Sequence, residues 1–108
     1  MVRLRDASSL AMLLVGVSGF PALAETVDIQ AGQEIASQYC ARCHAIGVHG
    51  QSPHPEAPPF RTFGDKWPLE SLEEALAEGI VVGHPDMPEL SFDPDEILNL
   101  LSYIDTLR

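Results

Sequence analysis

Cys40-Ala41-Arg42-Cys43-His44 constrains this chain more than any other stretch. It holds the only two cysteines. In an oxidising compartment two cysteines ordinarily imply one disulfide, but the histidine that follows changes the reading. Residues three apart on a helical turn share a face. Two thiols on one face can reach both vinyl groups on one edge of a porphyrin as thioethers, and the next imidazole can then rise to the iron. Cys-x-x-Cys-His is the attachment pattern for c-type haem. A bare Cys-x-x-Cys would leave two alternatives. A thioredoxin-like redox pair needs a βαβ setting, which is absent here. A zinc site needs two more ligands, and there is neither a second cysteine pair nor a His-x-x-x-His.

The chain has 108 residues, enough for one domain. Its start predicts a secretory signal over residues 1–24. Arg3 and Arg5 give a positive beginning, partly offset by Asp6, and a short apolar run covers residues 10–20. Pro21 ends the run, and Ala22-Leu23-Ala24 offers the small residues a signal peptidase needs. The run is shorter than the roughly 20 residues of a membrane-spanning helix. Cleavage after Ala24 leaves a domain over residues 25–108, and the expected location is the periplasm.

A domain this small buries little surface of its own and commonly depends on a metal, disulfide or cofactor. A covalently held haem supplies a large apolar disc to fold around. The mature part is also acidic. The full chain carries 6 Lys+Arg and 16 Asp+Glu; without Arg3, Arg5 and Asp6 these become 4 and 15, a formal charge of −11. That balance argues against nucleic acid and favours basic docking partners.

The remaining pattern is helical. Ile29, Ala31, Gly32, Ile35, Ala36 and Tyr39 recur at helical spacing behind a capping Asp28, and residues 40–44 continue or close that helix. Residues 49–59 read as a loop, with Pro53, Pro55, Pro58 and Pro59. After Pro68, Leu69, Leu72, Leu76 and Ile80 form an apolar stripe, Ser71 and Glu74 suggest a capping box, and Gly79 and Gly83 offer stops. Residues 84–90 read as a second loop. The last helix starts at a capping box of Asp93 and Glu96 with Pro94 in its first turn, and it turns Ile97, Leu100, Leu101 and Ile104 to one side. No internal repeat and no period-2 strand is visible, so the expected class is all-α.

A haem carrier needs a second axial ligand. Signal cleavage removes Met1 and Met12, leaving Met87 between Pro85-Asp86 and Pro88. Taken alone, such a residue reads as a gap-filling core methionine; beside the haem motif it reads as the ligand. His84 is the competing donor, and His49 and His54 rank below it.

Together these residues resemble a class I cytochrome c of the short bacterial monohaem type. The resemblance rests on the first helix with Gly32, the Cys40 to His44 motif, Met87-Pro88, and Tyr103 on the last helix, and it covers nearly all of residues 28–108. It implies a cytochrome c fold of three to four helices wrapped around one covalent haem c. It implies that the first and last helices cross closely at Gly32 beneath Tyr103. It implies that the carbonyl of Pro58 bonds the proximal His44, and that Trp67 lies near a haem propionate; Arg61 is a further candidate there. The functional expectation is a one-electron carrier between redox proteins, with His44 and Met87 on the iron and no catalytic residues. A fixed electron-transfer subunit of an oxidoreductase and an open-iron enzyme or sensor are the alternatives. Two features depart from mitochondrial members. Ala36 stands where they carry a larger aromatic, and their ring of docking lysines is missing, so their partner does not carry over.

Overall fold

The computed structural model describes residues 26–79 and 84–108, together with Gly16. The rest of the expected signal segment lies outside these residues, as do Ile80 and Gly83. Among the described residues there are helices and no strands.

Helix α1 spans Ile29–Ile35. Asp28 is its cap: the carboxylate accepts the Ala31 N–H at 3.0 Å, satisfying one of the amides a helix start leaves unpaired. The regular helix ends earlier than the apolar spacing predicts. Residues Ala36–Cys40 form a π-helical turn, closed by the Ala41 N–H on the Ala36 carbonyl at 2.9 Å. A π turn takes in one extra residue and so swings the side chains that follow it away from the register of α1. The N–H groups of Cys43 and His44 then both turn back to the Cys40 carbonyl.

After the proline-rich loop, a 3₁₀ turn at Phe60–Thr62 runs into α2, Phe63–Lys66. Helix α3 covers Leu69–Glu78. Its cap is Pro68, with no side-chain hydrogen bond, so the capping box expected from Ser71 and Glu74 does not form. Pro68 already holds an extended backbone conformation at the helix boundary, which places Ser71 inside the first turn, its N–H bonded to the Pro68 carbonyl. The helix stops at Gly79, whose φ of +96° is open to glycine at little cost.

Helix α4, Pro94–Asp105, is built as its sequence predicts. Asp93 accepts the Glu96 N–H at 2.9 Å, and Glu96 accepts the Asp93 N–H at 3.2 Å. The bond from the Glu96 backbone holds the Asp93 carboxyl below its ordinary value of 3.8. A depressed folded-state pKa gives stability that is complete above the unfolded value and lost as pH falls through the folded one. Asp93→Asn, which keeps an acceptor without a charge, is therefore expected to show a smaller drop in thermal midpoint than wild type between pH 5 and pH 2, as read by circular dichroism.

The core gathers on α4. Ile97, Leu100, Tyr103 and Ile104 are buried, and Phe60, Leu76, Ala36 and Leu107 pack with them. The most extensive packing is between α1 and α4, followed by α3 against α4. Asp28 donates its N–H to the Asn99 side chain at 2.8 Å, tying the start of α1 to α4. Tyr103 donates its hydroxyl to the Ile46 carbonyl at 2.6 Å, tying α4 to the chain just beyond His44.

Candidate functional site

The helices leave one side of the core open as a deep cavity of about 620 Å³, within the range of small-molecule and cofactor sites. Cys40, Cys43 and His44 form one wall, and Leu72, Leu76, Leu100, Leu101 and Ile104 line its floor and sides. His54, Glu56, His84, Asp86 and Met87 stand on its rim or wall. Segments distant in sequence therefore meet here, and the lining is mostly apolar.

Both cysteines are free thiols. Burial pushes the Cys40 thiol up to about 11, because a thiolate loses its hydration in an apolar wall. A thiol held protonated at neutral pH is a poor redox nucleophile, which counts against the thioredoxin-like alternative.

His44 is held from two sides. Its Nδ1–H donates to the Pro58 carbonyl at 2.7 Å. A carbonyl can only accept, so the bond leaves Nε2 as the lone-pair nitrogen. Its ring also packs between aromatic neighbours, with centroids 5.3 Å from Phe60 and 5.7 Å from Phe63. The loop that presents Pro58 is itself pinned. His54 donates its N–H to the Cys43 carbonyl, Phe60 to the Ala45 carbonyl, and Ala45 to the Ser52 hydroxyl. This hydrogen-bonding is the kind that fixes a metal-binding histidine's tautomer and raises its basicity.

Trp67 lies at the cavity edge, 42 % exposed, with Phe63 against its ring at 5.5 Å and the Lys66 ammonium over it at 6.0 Å. Met87 lines the cavity in the loop after His84, and its N–H bonds the His84 carbonyl. His84 and His54 are engaged with carboxylates of the rim, Glu56 and Asp86 respectively. His49 is exposed and does not line the cavity.

Sequence reasoning missed the aromatic cage. Phe60, Phe63 and Trp67 stand at i, i+3 and i+7, a helical stripe directly behind Pro59, and that spacing was the available signal. It also missed Tyr39 against Phe92, edge to face at 5.5 Å, because partners 53 positions apart leave no local pattern.

The residues fit a haem. Two free thiols and an oriented imidazole share one wall of an apolar cavity. Arg61 Nη1 is buried with no hydrogen-bond partner among the described residues, but Arg61 does not line the cavity.

The comparison with known families agrees. The family model described as cytochrome c oxidase, cbb3-type, subunit III matches residues 27–104. This chain belongs to that family of cytochrome c domains. The match takes in both cysteines, His44, Met87 and all the described helices but the last residue of α4. No curated protein and no solved structure matches the chain. As a cytochrome c domain it is an electron-transfer haem protein, all-α, with covalently attached haem c. Cys40 and Cys43 would hold that haem as thioethers and His44 would hold its iron. The chemistry it supplies is reversible one-electron exchange at iron.

Proposed function

We propose that the chain is a periplasmic one-electron carrier whose axial iron ligands are His44 and Met87. The observation that carries this reading is the placement of Met87 on the same apolar cavity as His44, from a separate proline-bounded loop. The two alternative donors on the rim are tied to carboxylates, His84 to Glu56 and His54 to Asp86, which leaves the thioether as the uncommitted donor. The residues do three things. Cys40 and Cys43 keep the cofactor from escaping outside the cytoplasm. Pro58 orients His44. The apolar walls exclude water, which limits reorganisation when charge changes. An export signal over residues 1–24 accounts for the periplasmic location. The acidic surface suits fast, transient docking to basic redox partners.

Met87→Ala tests the ligand assignment. A thioether favours ferrous iron and raises the potential. The variant is expected to lose the sulfur-to-iron ligand-field band and to drop in potential by on the order of 0.1 V, a fraction of the roughly 0.8 V that axial ligands command. An unchanged spectrum and potential would remove Met87 from the iron.

The family match favours a second reading, in which the same chemistry serves a fixed partner in an oxidase complex. No described helix is long and apolar enough to cross a membrane. Co-purification of the native chain with an oxidase, against recovery as a free monomer, separates the two readings.

A further inference from the structure

The chain contains two short echoes, His54-Pro55-Glu56 and His84-Pro85-Asp86. Three residues are too few to register as a repeat, but the fold brings the two together across the cavity rim, and their contacts are exchanged. His54 Nε2 meets Asp86 Oδ2 at 3.1 Å, and His84 Nε2 meets Glu56 Oε2. Each Nδ1 accepts the N–H of its own acidic neighbour, Glu56 at 3.0 Å and Asp86 at 3.2 Å. The two rings lie edge to face, with centroids 5.1 Å apart. Ligand atoms of His54, His84 and Asp86 all fall within 4.8 Å of one another.

We propose that His54, Glu56, His84 and Asp86 form a second metal site, for a divalent cation of the zinc type, which clasps the two loops at the rim of the haem cavity. Two imidazoles and two carboxylates make up a donor set that zinc accepts in tetrahedral geometry. Bond lengths of about 2.0–2.1 Å place tetrahedral ligand atoms about 3.3 Å apart. Among His54, His84 and Asp86 the most distant pair must therefore close by up to about 1.5 Å. All four side chains reach solvent at the rim, so rotamer changes supply that movement without disturbing the core. Coordination through Nε2 shifts the proton of each neutral ring to Nδ1. The N–H groups of Glu56 and Asp86 then exchange a ring acceptor for water, at low cost on an exposed edge. No proton leaves the rings in this exchange. Bound metal would cross-link residues 54–56 to residues 84–86, and so steady the loop that carries Met87.

The test is calorimetric titration of zinc chloride into untagged, haem-loaded protein, with amide hydrogen exchange followed across residues 84–88. The expected result is one zinc per chain, with a Kd on the order of micromolar, and slower exchange in that loop. His54→Ala and His84→Ala should each weaken binding at least tenfold, whereas His49→Ala should leave it unchanged. If either histidine variant loses the wild-type haem spectrum, the near-isosteric double variant Glu56→Gln with Asp86→Asn carries the same expectation. No binding at millimolar zinc would overturn the proposal. So would equal affinity in wild type and in the cluster variants.

Discussion

Replacing both cysteines in one chain, as Cys40→Ser with Cys43→Ser, is expected to abolish covalent haem and to leave the domain largely unfolded at room temperature. The reason is the size of the cavity. Lost packing costs about 24 cal/mol per Å³. At about 620 Å³, a cavity deprived of its occupant would cost on the order of 15 kcal/mol. The cavity is open on one side, so water offsets part of that cost. What remains is still comparable with the roughly 5–15 kcal/mol by which a whole domain is stable. The residues Leu72, Leu76, Leu100, Leu101 and Ile104 belong to the core of the described residues and also line the cavity, so an occupant packs directly against that core. Two measurements check this. Acid–acetone extraction should leave haem with the wild-type polypeptide and strip it from the variant. Far-ultraviolet circular dichroism should show the variant's helices mostly lost. A variant that kept wild-type helicity without pigment would mean that the side chains alone sustain the fold.

Gly32→Ala is expected to be the most damaging single-methyl change in α1. A Cβ at that position would meet the Asn99 carbonyl oxygen at 2.0 Å, its carbon at 2.6 Å and the Tyr103 Cβ at 2.9 Å. Two of these are backbone atoms of α4, which cannot rotate away. The helices must separate by about an ångström or more, loosening Ala36, Leu100 and Tyr103 together and straining the bond from Asp28 to Asn99. Alanine gains about 1 kcal/mol over glycine in helix propensity. Overpacking against backbone outweighs that gain, and a net loss of about 3 kcal/mol or more is expected. In a domain of this size that lowers the thermal midpoint by roughly 12 °C or more. Gly47→Ala is the control, because a Cβ there meets nothing within 4 Å. Equal melting of the two variants would show that the α1–α4 crossing tolerates a side chain at Gly32.

Much of this architecture is legible locally. The capping box at Asp93 and Glu96 requires residues three apart, and the apolar face of α4 requires only a 3.6-residue period. Both are properties of a short window, and both appear in the structure as read. The cap expected at Ser71 is the instructive error. The sequence offers a capping pair there, but Pro68 lies three residues earlier and fixes the backbone at the boundary first. The aromatic stripe of Phe60, Phe63 and Trp67 was also readable in its spacing, but it lies between the loop of residues 49–59 and the helix after Pro68, in a stretch to which no element was assigned.

The sequence by itself determined the haem attachment. Two thiols and an imidazole in five consecutive residues carry their own geometry, whatever the rest of the chain does. It also determined the helical class, through the spacing of apolar residues and the placement of caps. The tertiary structure decided how the distant groups meet. It turned the Pro58 carbonyl onto His44, as the resemblance implies, set Met87 on the cavity that His44 lines, and paired His54 with Asp86 and His84 with Glu56. Those encounters span 14 to 32 positions where hydrogen bonds record them. They depend on α1 and α4 closing at Gly32 and on loops pinned to that frame, and no short-range pattern in a sequence encodes the distance between two loops.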